Sequence, residues 1–204
     1  MGLGGVFILS RHFERKRRED LRLFAERRGF SFIAHPTPIE IRNAEGFELL
    51  SRGYNRSYMN LVRGRIGGFD LALFDFHYVT GSGRHRNNRK LTVVMFLNPR
   101  LALPHFQLRP ENVLDKFLGK IGFEDIDFDS HPHFSESYAL RGKDKEQIKS
   151  LFNERLLSYF SVHKGLEAEG TGDTLIFFKS SKLLGSEELD RFLAESYSAA
   201  EVFL

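Results

Sequence analysis

The stretch FDLALFDFHYV, residues 69–79, constrains the fold most, because it has the composition of a β-strand and is apolar on both faces. Successive side chains of a strand point to opposite sides of its sheet. One face carries Phe69, Leu71, Leu73 and Val79, and the other carries Ala72, Phe74, Phe76 and Tyr78. A strand of this kind lies inside a sheet that is covered on both sides.

The segments on either side of this strand predict its neighbours in the sheet. MNLVRGRI from Met59 and KLTVVMFL from Lys90 both have strand composition, and Gly67-Gly68 is a two-residue hairpin turn that tolerates positive φ at both positions. We therefore expect an antiparallel meander over about residues 59–98.

Before the meander, Ser10 is a predicted N-cap for a helix that ends at Gly29, after the cationic turn Arg27-Arg28. Residues 31–58 contain two prolines and predict a mostly irregular connection with a hinge, and with a helical turn around Gly46–Arg52.

After the meander, residues 99–110 predict a proline-bounded link, PENVLDKFLGK from Pro110 a short helix, and EDIDFDS from Glu124 an alternating strand. Helices are predicted for DKEQIKSLF and NERLLSYFSVH, with a break near Phe152-Asn153.

A second hairpin, LEAEG and TLIFFKS, precedes a final helix capped at Ser186. Strands followed by helices, in two rounds without regular βαβ alternation, predict an α+β fold with a mainly antiparallel sheet. We divide the chain into an apolar stub with a basic helix (1–29) and one α+β domain (30–204), with two subdomains meeting near 99–110 as the alternative.

The composition restricts the chemistry that the protein can carry out more than it restricts the protein's location in the cell. The absence of Cys excludes disulfides, thiolate nucleophiles and Cys-ligated metals. Residues 1–110 contain 19 Lys and Arg against 9 Asp and Glu, whereas residues 111–204 contain 11 against 18. This division indicates either a polyanionic partner for the first half or mutual attraction between the halves.

The N-terminus joins an apolar run, Gly2 to Leu9, to a block of cations: Arg11, Arg15, Lys16, Arg17 and Arg18. Eight helical residues cover about 12 Å, whereas the hydrocarbon core of a bilayer is about 30 Å thick. The run is therefore either a truncated or late-started anchor with its cytoplasmic flank, or the buried entry to a soluble amphipathic helix.

The loop TGSGRHRNNRK, residues 80–90, is a candidate anion site, because it combines two glycines with Arg84, His85, Arg86, Arg89 and Lys90. Such a loop suits phosphate, a lipid headgroup or a nucleic-acid backbone. It lacks the third glycine and the following helix of a dinucleotide fingerprint. The alternative is a solvated hairpin loop.

Two further groups of polar residues are candidate sites. Asp125, Asp127, Asp129, His131 and His133 recur at every second position. They would form metal ligands on one face of a strand, or simply the polar face of an edge strand. Asp75 and His77 share a face of the central strand and are either a general-base pair or internally hydrogen-bonded groups. The chain has no P-loop, zincin, EF-hand, kinase or nucleophile-elbow motif.

Four segments together resemble an uncharacterised group of bacterial proteins: LFDFHYVTGSG, Pro104–Pro110 with the pattern P-x-F-x-L-R-P, DIDFDSHPHFSESYALRG and NERLLSYF. In members of that group an N-terminal membrane segment is often followed by a basic helix and then by a domain of this layout. The resemblance implies no activity, cofactor or catalytic residue, and this chain departs from the pattern by lacking a full anchor.

These observations favour a non-enzymatic binding domain at the cytoplasmic face of the bacterial inner membrane, whose partner is a protein or an anionic lipid headgroup. We predict no cofactor, and the sequence leaves the oligomeric state open. One alternative is a nucleic-acid-binding protein that uses the basic half. The other is a metal-assisted hydrolase centred on Asp125–His133.

Overall fold

The computed structural model describes residues 3–111, 125–179 and 182–204, with the side chains described from Arg11 onward. All strands form one antiparallel sheet in the order β1-β2-β3-β4-β8-β7-β5-β6. Their bounds are β1 Ser31–Ile33, β2 Tyr54–Ile66, β3 Phe69–Thr80, β4 Asn87–Leu97, β5 Leu103–Pro110, β6 Tyr138–Gly142, β7 Glu167–Gly172 and β8 Thr174–Phe178.

The helices are α1 Leu3–Glu26, α2 Glu48–Ser51, α3 Pro132–Ser135, α4 Lys145–Leu151, α5 Glu154–Val162 and α6 Ser186–Val202. Short 3₁₀ turns occur at Pro38–Glu40, Ala44–Gly46 and Gly83–His85. The α+β fold with a mainly antiparallel sheet is therefore confirmed.

The predicted meander is present as β2, β3 and β4, and β3 is buried on both faces. Gly67 and Gly68 have φ of 52° and 86° and form the expected tight turn. On one face, which we call the helical face, Phe69, Leu71 and Leu73 pack in a core with α1, α4, α5 and α6.

The other face, which we call the turn face, is covered by the segment that was predicted to be an irregular connection with a hinge. Besides β1 and the first five residues of β2, this segment forms the first two 3₁₀ turns and α2, which lies where the helical turn was predicted. It buries Ile41, Phe47, Leu49 and Leu50 against Phe74, Phe76 and their neighbours. Its prolines prevent long regular elements, but its apolar residues are spaced to cover the sheet.

The C-terminal half contains two corrections to the predicted strands. The proline-bounded link contains β5, whose prolines occupy its second and last positions and which pairs with β6 and β7. Residues 125–130 form no strand, and the backbone N–H of Ile126 donates to the carbonyl of Leu140 at the edge of β6. The helix predicted from PENVLDKFLGK falls almost wholly outside the described residues.

The other predicted elements are present with shifted ends. The break between α4 and α5 lies at Phe152-Asn153, and β7 and β8 form the second hairpin. Ser10 lies inside α1 rather than at its N-cap, and Gly185, not Ser186, is the N-cap of α6. The backbone N–H of Gly185 donates to Glu188 Oε2 at 3.0 Å. Gly29, with φ of 67°, ends α1 as expected, because the N–H of Phe30 returns to the carbonyl of Ala25.

The C-terminal half of α1 belongs to the core. Leu21, Phe24 and Ala25 are fully buried, α1 packs on β1, β2 and α6, and Arg28 forms an ion pair with Asp190 of α6. The sheet also continues through residues 99–110 by way of β5. Within the described chain, no helix combines the length and the apolarity needed to cross a bilayer.

We expect Phe24→Ala to lower the free energy of unfolding by about 3–5 kcal/mol, the usual cost of deleting a buried phenyl ring. Urea unfolding monitored by circular dichroism measures this change. Phe13→Ala is the matched control on the same helix, because Phe13 is 65% exposed, and it should change stability little. Equal effects of the two variants would show that α1 is not part of the folded core.

Candidate functional site

Residues 11–16 of α1 lie outside the core and carry three of the five predicted membrane-flank cations. Residues 11–16 are all exposed, and among the side chains described from Arg11 onward Leu21 is the first that is fully buried. Arg11, Arg15 and Lys16 are therefore at the surface, whereas Arg17 and Arg18 are half-buried.

A groove of about 660 Å³ follows this part of α1 beside β1. It is lined by His12, Arg15, Lys16, Arg18, Glu19, Arg22 and Phe32. Its one acid, Glu19, accepts hydrogen bonds from Arg22 at 2.6 and 3.0 Å, which lowers the pKa of Glu19 and raises that of Arg22. Arg18 Nε is buried without a hydrogen-bond partner in the described structure. The groove is therefore positively charged and suits an anion.

Arg17 does not belong to this exposed set, because its guanidinium is bound inside the protein. Nε and Nη2 donate to the two carboxylate oxygens of Asp75 at 3.0 and 2.8 Å, Nη2 also donates to Thr92 Oγ1 at 2.9 Å, and Nη1 donates to the carbonyl of Leu184. Asp75, which is 1% exposed, also accepts from Asn60 Nδ2 at 3.0 Å. This network fixes α1 on the helical face of β3.

Helical periodicity could have identified Arg17 from the sequence. Arg17 lies four residues before Leu21 and seven before Phe24, so it falls on the same stripe as the buried residues of α1. Phe13 continues this stripe by another turn, but its side chain is 65% exposed.

The same network answers the question raised by Asp75 and His77. Asp75 is engaged by Arg17, Asn60 and Thr92, so it is an internally satisfied group rather than the partner of a general base. His77 is half-buried, and burial together with the nearby Lys90 lowers its pKa although Asp75 acts in the opposite direction.

The predicted basic loop is shorter than expected, since β4 begins at Asn87 and contains Arg89 and Lys90. Arg84, His85 and Arg86 are exposed in the loop, and Gly81 and Gly83 have positive φ. Lys90 Nζ lies 3.8 Å from Glu14 Oε1 of α1. The loop and the N-terminal half of α1 therefore lie at the same end of the molecule, which brings two predicted cation sets together.

The residues predicted as metal ligands do not converge. Asp125 binds Arg141, His131 Nε2 lies 3.0 Å from Glu154 Oε1, and exposed His133 lies beside Glu136. Asp127 and Asp129 belong to the segment that forms no strand, so the shared face is lost. Within residues 3–111, 125–179 and 182–204, no three His, Asp or Glu side chains are grouped to hold a metal ion.

Sequence reasoning missed a buried charged cluster on the turn face. Arg109 binds Glu169, and its Nε lies 3.5 Å from Glu167 Oε2. Glu169 also accepts from the backbone N–H of Leu49 at 3.1 Å, which fixes α2 over the sheet. The signal was the spacing of Gln107 with Arg109 and of Glu167 with Glu169: residues two apart in a strand lie on the same face of the sheet.

Comparison with known proteins gives a fold but no family. No family model matches the chain, and no curated protein sequence matches it significantly. The fold is similar to the crystal structure of the mycobacterial trehalose monomycolate transport factor A, TtfA, with a TM-score of 0.63 and 10% identity, over 92% of this chain and 96% of that one. At this identity the similarity concerns the fold alone.

We expect Arg17→Met or Asp75→Leu alone to lower the free energy of unfolding by about 3–5 kcal/mol, because each leaves a buried charge without its partner. The double variant should cost much less than the sum of the two. Chemical denaturation of the four proteins measures the coupling, and Arg15→Met on the exposed side of α1 is the control. Additive effects would contradict the assignment of this pair as a buried unit.

We expect His77 to reduce stability in acid. Its pKa is lowered in the native state, so the unfolded chain binds the proton more readily, and stability falls as the pH drops below about 6.5 towards the native pKa. His77→Gln should therefore lose less stability between pH 7 and pH 5 than the parent protein. Melting curves across this range test it, with the exposed His85→Gln as control; parallel curves for parent and His77→Gln would refute it.

Proposed function

We propose that this domain is a non-enzymatic binding domain that docks on an anionic membrane surface, at the cytoplasmic face of the bacterial inner membrane. The contact surface is formed by residues 11–16 of α1 together with the loop of residues 81–86. The observation that carries the proposal is the exposed segment of residues 11–16 in α1, where the cations accompany the exposed ring of Phe13.

The chemistry of this surface matches the boundary between headgroups and acyl chains. Arg15 and Lys16 supply charge for phosphate groups, and each such cation near an anionic leaflet contributes about 1 kcal/mol. Phe13 adds an apolar contact, and the sequence before Ser10, LGGVFIL, is apolar as well. A helix that combines these features binds in the plane of a membrane interface.

The distribution of charge supports the same orientation. Residues 1–97, which form α1 and β1 to β4, contain 17 Lys and Arg against 9 Asp and Glu, and residues 98–204 contain 13 against 18. Because β1 to β4 are contiguous in the sheet, the positive half occupies one side of the domain. An anionic surface attracts that side and repels the other.

Two further points bear on the choice between functions. The similar structure is that of a trehalose monomycolate transport factor, which is a precedent for this fold in a lipid-associated role. A nucleic-acid-binding surface needs cations but not the apolar sequence that precedes them, so the helix favours a membrane over a polynucleotide.

We expect the protein to sediment with vesicles of phosphatidylglycerol and phosphatidylcholine but not with phosphatidylcholine alone, and binding should weaken as salt is added. Arg15→Gln with Lys16→Gln should reduce the partition coefficient roughly 30-fold, which corresponds to about 2 kcal/mol. The matched control is Arg100→Gln with Lys149→Gln, two exposed cations outside this surface. Equal binding by both double variants, or tighter binding to DNA or RNA than to the vesicles, would refute the proposal.

A further inference from the structure

The outer edge of β2 is only partly paired. β1 pairs with residues 61–63, and Ala34 accepts one further hydrogen bond from the N–H of Asn60. Residues 54–59 have β3 on one side, and on the other side the described chain places no strand. An open strand edge can bind another extended chain through backbone hydrogen bonds.

A groove of about 510 Å³ lies beside this edge on the turn face of the sheet. Its apolar lining comes from Pro38, Ile39, Ile41, Ala44, Leu50 and Tyr58. Ile39 is 91% exposed, and Tyr54, on the same strand edge, is 44% exposed. Large apolar side chains that the core of the domain leaves uncovered, next to an open edge, indicate an interaction surface.

The charges around the groove select the partner. Among the described residues, Arg42 and Arg56 line it together with the acid Glu45, and Arg56 Nη1 donates to the carbonyl of Ser51. Arg56 and Tyr58 are two residues apart and both line the groove, so they lie on one face of the strand. A bound strand with the same two-residue period would place a carboxylate at Arg56 and an apolar side chain beside Tyr58.

Irregularities at both ends limit the free edge to a short segment. The register of β2 against β3 shifts between Tyr54 and Ser57 and again between Met59 and Val62, and Asn55 and Asn60 have φ of 51° and 55°. Bulges of this kind prevent open-ended pairing between sheet edges. The remaining segment suits a short extended peptide better than a long strand.

We propose that this edge and groove bind a short, extended, acidic segment of a partner protein by strand addition. The backbone of residues 54–59 supplies the hydrogen bonds, and Arg42 and Arg56 bind the carboxylates of the segment. Ile39 and Tyr58 contact its apolar side chains. The groove lies on the turn face and α1 on the helical face, and the two proposed surfaces approach each other where the Tyr54 hydroxyl donates to the carbonyl of Gly81.

Selection from a displayed library of random heptapeptides against the full chain tests the proposal. We expect recovered peptides to alternate acidic and apolar residues, and synthetic copies to bind in fluorescence anisotropy. Arg56→Gln should weaken binding about 10- to 100-fold, because it removes a charge-assisted hydrogen bond. Ile39→Ser should weaken binding as well, and Arg100→Gln should leave it unchanged.

Hydrogen exchange distinguishes strand addition from other modes of binding. Bound peptide should slow exchange of backbone amides within residues 54–59, which an acyl chain in the groove would not do. Failure to recover peptides, binding insensitive to Arg56→Gln and Ile39→Ser, or displacement of the peptide by laurate would overturn the proposal. Arg15→Gln with Lys16→Gln should bind peptide normally, so this result does not depend on membrane binding.

Discussion

The ion pair between Arg17 and Asp75 fixes the position of α1, and much of the molecule follows from that position. Burying two charges costs several kcal/mol per ion unless the geometry is good and the remaining donors and acceptors are satisfied. Here the carboxylate receives both guanidinium bonds, the Asn60 amide and the Thr92 hydroxyl, and Thr92 in turn accepts from the N–H of Leu184. The network joins α1 to β2, β3 and β4 and to Leu184, which lies just before α6. It therefore fixes the register of α1 on the sheet.

That register decides which cations remain at the surface. On the C-terminal side of Arg17, the apolar stripe of α1 packs on the sheet through Leu21 and Phe24. One turn to the N-terminal side of Arg17, the stripe continues with Phe13, whose side chain is exposed. A shift of one helical turn would bury Phe13 and move Arg17 off its partner. The buried pair therefore holds an exposed basic and aromatic end on a rigid domain, beside the loop of residues 81–86. A rigid scaffold for surface cations is what a docking domain needs, because fewer side chains must be ordered on binding.

The sequence was sufficient where a pattern depends on local chain geometry. Apolar residues on both faces of β3 predicted its central place, Gly67-Gly68 predicted the turn, and Gly29 predicted the end of α1. It was insufficient where the partner is distant in sequence: helical periodicity places Arg17 on the buried stripe of α1, but nothing in the sequence links Arg17 to Asp75, 58 positions away. β5 was missed because prolines usually interrupt strands, although its terminal Pro110 needs no N–H in the ladder. The alternating Asp and His residues of 125–133 imitate a strand, but His131-Pro132 starts a helical turn instead.

The two faces of the sheet differ in a way that relates to the candidate surfaces. In the described chain, the helices α1, α3, α4, α5 and α6 pack on the helical face, whereas two 3₁₀ turns and the four-residue α2 cover the turn face. Such short elements bury little apolar surface, and buried polar groups therefore help to hold them on the turn face. Glu169 binds the backbone of α2, and Gln107 Nε2 donates to Glu48 Oε2 at 2.7 Å. Where this cover stops, beside residues 54–59 of β2, the groove with Ile39 and Tyr58 begins. The groove beside residues 54–59 is therefore left open because the short elements of the turn face end there. It lies within the positive half of the domain, which attracts an acidic segment before that segment pairs with β2.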